Sequence, residues 1–250
     1  MKKITRFYKR IIFNLKNKIN LDNQNINYDS LNDLFNHFGT DKGTKVMNPY
    51  SKNPEEIVGH GYAKFYEKNF ANIKNEKFNL LEIGTWEGAS SASFILYFPN
   101  AEIYGLDRNF KFKYKSKRLK YYNCDLTNKN DHKNLERKIQ NKTFKIIIDD
   151  GSHILSHIIE NLKFFLKYVD NQSYYIIEDF SAPVNYDYLN DSNGNELFIK
   201  DILLNIKNKN YFKSKILTES DQKHLFDNIA SVDIYKGDSY ESDIAFLKKK

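Results

Sequence analysis

Residues 144–153 read FKIIIDDGSH. Four of the first five are apolar, and the run then breaks into Asp149, Asp150, Gly151, Ser152 and His153. A short continuous apolar run rich in β-branched residues marks a strand buried on both faces, as in a parallel sheet. Such strands ordinarily end in plain turn residues. Here two carboxylates and an imidazole follow directly, so charge collects at the end of a core strand.

Outward from this stretch the pattern repeats. FNLLEIG (78–84), AEIYGLD (101–107), LKYYNCD (119–125) and SYYIIED (173–179) are short strands of the same kind. SSASFILYF, which stops before Pro99, NDHKNLERKIQNK and ILSHIIENLKFFLKYV read as the helices between them. Strands alternating with helices predict an α/β fold, a parallel sheet with helices on both faces. Near the end, ASVDIYKG and DIAFLKK lie too close together for a helical crossover and predict an antiparallel hairpin at one sheet edge. A mostly parallel, seven-stranded sheet closing with such a hairpin is the Rossmann-like layout of class I methyltransferases. Layout alone does not give chemistry.

The composition, 40% hydrophobic and 28% charged over 250 residues, is that of an ordinary globular chain with room for one large domain. Cys124 is the sole cysteine, which excludes a disulfide framework and a cysteine-rich zinc site and fits a reducing cytoplasm. The N-terminal MKKITRFYKRIIFNLKNK is too polar to span a bilayer and lacks the apolar region of a secretory signal. Ile4, Phe7, Ile11, Ile12 and Leu15 recur in it at helical spacing, which predicts a basic amphipathic helix docked on its own domain or on a subunit partner. The pattern predicts this helix and an Asn-rich linker over residues 1–30, a helical cap interrupted by loop composition at 39–54 over 31–77, and the sheet-bearing domain over 78–250.

In an open α/β sheet ligands bind beyond the carboxyl ends of the strands. Those ends carry Glu82, Gly84, Asp107, Asp125, Asp149 with Asp150, and Glu178 with Asp179. Any one of the acids alone reads as a cap for the following helix. Five acidic strand ends together point to a site. The loop EIGTWEGAS (82–90) puts Trp86 where a dinucleotide loop needs its second glycine, and Glu87 beside it repels phosphate. A cofactor without a pyrophosphate fits better, and S-adenosylmethionine, with its cationic sulfonium and ammonium groups, is one. Asp107 is then placed to accept both ribose hydroxyls and Asp125 to meet the adenine amino group.

LLEIGTWEGAS, IYGLD, IIIDDGSH and YIIEDF, with FGTDKGT and HGY upstream, resemble the metal-dependent sugar O-methyltransferases over roughly residues 34 to 180. That resemblance implies a Mg²⁺ site, with Mn²⁺ as the alternative ion, formed by Asp150, Glu178 and Asp179. It implies His153 as general base, Asp149 facing the cofactor, and Thr40, Asp41, His60 and Tyr62 closing over cofactor and substrate. The family's spread suggests a nucleotide-linked or surface-polysaccharide sugar, such as a heptose of capsule or lipopolysaccharide, and a cytoplasmic homodimer.

Independently, three carboxylates from neighbouring strand ends are hard oxygen ligands suited to Mg²⁺. Two other readings stand beside this one. The +7 net charge and the basic run at 111–120 suit a nucleic-acid methyltransferase or binding protein, although no base-reading motif is present. An NAD-dependent oxidoreductase would use the same fold, and Trp86 argues against it. His153 also has a reading as a cap of the helix beginning near residue 154, and His157 as a packing residue.

Overall fold

The apolar runs become strands where the sequence places them, in a computed structural model that describes residues 2–47 and 55–250. The N-terminal part holds α1 (Lys2–Leu15), β1 (Ile19–Asn20), α2 (Leu31–Phe38), β2 (Lys45–Met47), β3 (Glu56–Val58) and α3 (Ala63–Phe70). There follow β4 (Asn79–Ile83), α4 (Ala89–Tyr97), β5 (Glu102–Asp107), β6 (Tyr114–Lys115), β7 (Leu119–Asn123) and α5 (Lys129–Ile139). The chain continues through β8 (Phe144–Asp149), α6 (Leu155–Phe165), β9 (Val169–Glu178) and α7 (Ala182–Asn185). It closes with α8 (Ile199–Asn208), α9 (Glu219–Asn228), β10 (Ile229–Lys236) and β11 (Asp243–Lys249).

Seven of these strands form one sheet in the order β10-β11-β9-β8-β4-β5-β7. Pairing is parallel from β7 through to β9, and β11 runs antiparallel between β9 and β10. The hairpin's second strand is therefore inside the sheet and its first is the edge. From β4 the chain winds outward through β5 to β7, then returns to β8 on the other side. That reversal opens a crevice at the carboxyl ends of β4 and β8. The register brings the polar ends level there: Ile83 pairs with Asp149, and Asp149 with Ile177.

Alternation along each strand sorts the core into two layers. Leu81, Ile147, Tyr175 and Leu247 face α5, α6, α8 and α9, and Leu80, Ile146, Ile176 and Phe246 face α2, α3 and α4. Helices α2 and α3 thus pack on the sheet itself. Ser30 and Asp33 form a capping box at the start of α2, which fixes where that helix begins.

Two expectations change. Within the stretch of loop composition at 39–54, residues 45–47 pair with 56–58 as an antiparallel ladder, β2 with β3; residues 48–54 of the insert lie outside the described residues. The N-terminal helix docks, but through Phe13, which is buried against the rings of Phe110 and Tyr121 at 5.7 and 5.5 Å. Ile11, Ile12 and Leu15 of the expected stripe stay exposed, and the side chains of Ile4 and Phe7 lie outside the described part.

Candidate active site

Gly84 ends β4 with a φ of +90°, and a Cβ there would stand 1.8 Å from the backbone oxygen of Asp150. Only glycine allows this approach, which joins the EIGTWEG loop to the end of β8. The Asp150 amide donates to Ile83 O at 3.0 Å, and the Gly84 amide to Leu106 O at 2.8 Å. Trp86, His153 and Asp179 are non-glycine residues with φ of 47°, 55° and 49°. Left-handed backbone at three loop positions around one crevice is stored strain of the kind found at functional sites.

Asp107 closes β5. Its two carboxylate oxygens accept from the amides of Trp86 (2.8 Å) and Asn109 (2.7 Å), and each keeps a further lone pair for a diol. Burial raises its pKa, with those amides opposing. Asp125 lies beyond the neighbouring β7, half-buried, and accepts from the Thr127 hydroxyl at 2.7 Å. In the Gly84 loop, the buried Thr85 hydroxyl oxygen has no partner among the described residues.

Glu82 and Asp149 face inward. Glu82 is fully buried and accepts from the hydroxyls of Ser90 and Ser91, which ties β4 to the first turn of α4. Asp149 accepts from the Asn161 amide at 3.1 Å and the Tyr175 hydroxyl at 3.1 Å, within the layer beneath α6. Burial pushes Asp149 up to about 6. Both residues brace the crevice from below.

The ends of β8 and β9 carry the other acids. Asp150, His153 and Asp179 each offer a ligand atom, all within 4.8 Å of one another. His153 Nε2 lies 3.7 Å from Asp150 Oδ1. The residue at the cap position of α6 is Ile154, with no side-chain cap, so His153 does not serve as that cap. His157 instead meets the Ser152 hydroxyl at 2.7 Å through its Nδ1.

Glu178 is not one of this trio, and a lysine bridges it to Asp150. Lys42, 1% exposed, sets its ammonium between Asp150 Oδ2 at 2.5 Å and the Glu178 carboxylate. The Tyr66 hydroxyl donates to the other oxygen of Glu178. Burial alone would strip Lys42 of its proton, but Asp150 and Glu178 hold its pKa well above the usual value. Neither Lys42 nor Tyr66 stands out in the sequence, although Lys42 lies inside the quoted GTDKG.

The segments around Thr40 and Tyr62 are zipped together by backbone bonds: His60 N to Asp41 O, Gly61 N to Gly43 O and Tyr62 N to Lys42 O. They deliver Lys42 to the carboxylates and set two more side chains on Asp179. The Tyr62 hydroxyl donates to Asp179 and to the carbonyl of Asp243 on β11. His60 Nε2 lies 3.7 Å from both Asp179 and Asp41, its Nδ1 meets Ser242 at 2.5 Å, and its ring stacks on Tyr62. Thr40 is buried, with its hydroxyl 3.4 Å from Asp41. His60, Tyr62 and Asp41 thus gather at the acid cluster.

Burial raises Asp179 to about 6, His60 working against it and Asp150 with it. Burial also opposes a charge on His60, yet Asp41 and Asp179 push it up to about 9. Asp41, Asp150, Glu178 and Asp179 crowd four carboxyl groups around Lys42, His60 and His153. A surplus of hard oxygen donors beside an imidazole fits a further small cation.

The fold and this arrangement define a class I methyltransferase fold with an acidic, histidine-bearing crevice. No family model matches the chain. Over 128 residues it is 31% identical to mycinamicin VI 2''-O-methyltransferase of Micromonospora griseorubida, covering 48% of this chain and 31% of that protein. It is 31% identical over 128 residues to demethylmacrocin O-methyltransferase of Streptomyces fradiae, covering 48% and 32%. These matches span about a third of the length of the curated relatives. Among solved structures, a methyltransferase of the mycinamycin biosynthetic pathway in complex with Mg, SAH and mycinamycin VI superposes with a TM-score of 0.65. Its sequence identity is 22%, over 88% of this chain and 54% of that one, a likeness of fold. The relatives by sequence are sugar O-methyltransferases of macrolide and tetracenomycin pathways. Among the described residues no helix is long and apolar enough to cross a membrane.

Proposed function

We propose that this chain is an S-adenosylmethionine-dependent O-methyltransferase that methylates a sugar hydroxyl. The observation that carries the reading is the convergence of Asp150, His153 and Asp179 beside the Gly84 loop and Asp107. Asp107 holds the ribose hydroxyls, Asp125 meets the adenine, and Gly84 lets the cofactor approach the backbone. Glu82 and Asp149 support that pocket from beneath.

Asp150 and Asp179 would hold a divalent ion, Mg²⁺ or Mn²⁺, and Glu178 would join them through a lone pair that Lys42 leaves open. Such an ion, when bound, orients the acceptor hydroxyl and lowers its pKa. His153 Nε2 takes the hydroxyl proton as the oxygen attacks the methyl carbon in line, while the carbon–sulfur bond breaks and S-adenosylhomocysteine leaves. His60 and Tyr62 keep Asp179 turned toward the crevice, and Thr40 and Asp41 line its rim on the acceptor side.

The similarity to curated sugar O-methyltransferases supports a glycosidic acceptor. A nucleotide-linked or surface-polysaccharide sugar, such as a heptose, is the finer reading, since a net charge of +7 suits an acceptor bearing phosphates. A homodimer is part of this proposal and is read directly by sedimentation velocity.

Mass spectrometry of sugar panels incubated with enzyme, S-adenosylmethionine and Mg²⁺ tests the function. One added methyl on a nucleotide sugar, lost on chelation with EDTA, supports it; transfer to nucleic acid alone rejects it. Replacing His153 with Ala should slow transfer roughly 10²–10⁴-fold with cofactor affinity retained. A wild-type rate in that variant would remove the base from the mechanism.

A further inference from the structure

The first 21 residues contain Lys2, Lys3, Arg6, Lys9, Arg10, Lys16 and Lys18 and no acidic residue. In α1, Tyr8, Ile11 and Leu15 recur at three- and four-residue spacing and so share one face. Tyr8, Ile11, Ile12 and Leu15 are 61%, 40%, 57% and 79% exposed. Phe13, on the opposite face, is the buried anchor. The helix is therefore turned around relative to an ordinary surface helix: its apolar stripe looks outward.

The anchor also decides what surrounds that stripe. β1 pairs with β6, Ile19 with Tyr114 and Asn20 with Lys115, so α1 is held next to the basic run 111–120. Lys111, Lys113, Lys115 and Lys117 are exposed there. The two basic runs that the sequence separates by about ninety residues become neighbours in the fold.

We infer that α1 is an interfacial anchor that lies in the plane of an anionic lipid surface. An exposed apolar stripe in a strongly basic, acid-free helix is what such a surface recognises. At 14 residues the helix is too short to span a bilayer and long enough to lie on one. Two such helices packed stripe to stripe would bring like charges together, which disfavours a second copy as the occupant.

Co-sedimentation of the full chain with vesicles tests this. Vesicles of equal parts phosphatidylcholine and phosphatidylglycerol should carry the protein down, and pure phosphatidylcholine vesicles should not. The charge-preserving double variant Ile11→Ser/Leu15→Ser should bind about tenfold less, because both side chains face solvent and lose only their insertion. Lys9→Gln/Arg10→Gln should also lose about tenfold, now through the anionic lipid. Circular dichroism melts matching the wild type keep these losses distinct from unfolding. No sedimentation with anionic vesicles, or equal binding by the serine variant, overturns the inference. So does a dimer in sedimentation velocity that the serine variant dissociates while lipid uptake stays absent, since a second copy then covers the stripe.

Discussion

Lys42 keeps a full positive charge where water is excluded, against Asp150 and Glu178. Removing one member of a buried ion pair leaves the others uncompensated, at a cost of about 3–5 kcal/mol. Lys42→Met should lose about that much stability in urea unfolding, and added Mg²⁺ should restore more of it than in the wild type. No loss would mean that the carboxylates are already neutral. Asp149 makes the opposite kind of prediction. Its folded pKa of about 6 lies above the usual 3.8, so the folded state binds the proton more tightly than the unfolded state. This group costs nothing below pH 4, and its penalty grows through pH 6 to roughly 2–3 kcal/mol. Asp149→Asn should therefore raise the midpoint at pH 8 and leave it nearly unchanged at pH 4. An equal shift at both would show that Asp149 ionises freely. Neither role was legible beforehand. A lysine in a chain with 39 basic residues looks like surface, and Asp149 and Asp150 differ only in which side of the sheet each faces.

At the scale of elements, the sequence marks the strands well because burial on both faces demands unbroken apolar runs. The closing hairpin was equally legible from the short spacing between its strands. The β2–β3 pair was not, since three-residue strands (KVM and EIV) whose apolar residues are largely exposed carry no buried alternation to read. The backbone zipper between residues 41–44 and 59–62 was hidden with it, and so was the delivery of Lys42. One glycine tests how these elements are joined. Gly84→Ala would force a Cβ to within 1.8 Å of Asp150 O in a left-handed turn, so β4 and β8 must part. It should cost at least about 2 kcal/mol of stability and weaken S-adenosylhomocysteine binding in the same preparation. Wild-type stability with unchanged binding would show that the two loops are not coupled.

Across the whole molecule, a mostly parallel sheet places one edge of acidic strand ends under the segments that carry Lys42, His60 and Tyr62, and the C-terminal hairpin holds Asp179 from the other side. The place of the site was legible, because strand order and acid position coincide. The partners of each acid were not, because long-range contacts such as Lys42 with Glu178 span 136 residues. Calorimetric titration of S-adenosylhomocysteine into the wild type and Asp107→Ala measures directly whether this crevice takes S-adenosylmethionine and whether Asp107 reads its ribose. The wild type should bind it, the variant should bind at least tenfold more weakly, about 1.4 kcal/mol, and NAD should give no heat. Equal affinity in the two proteins, or NAD binding in place of S-adenosylhomocysteine, would contradict this reading of the crevice.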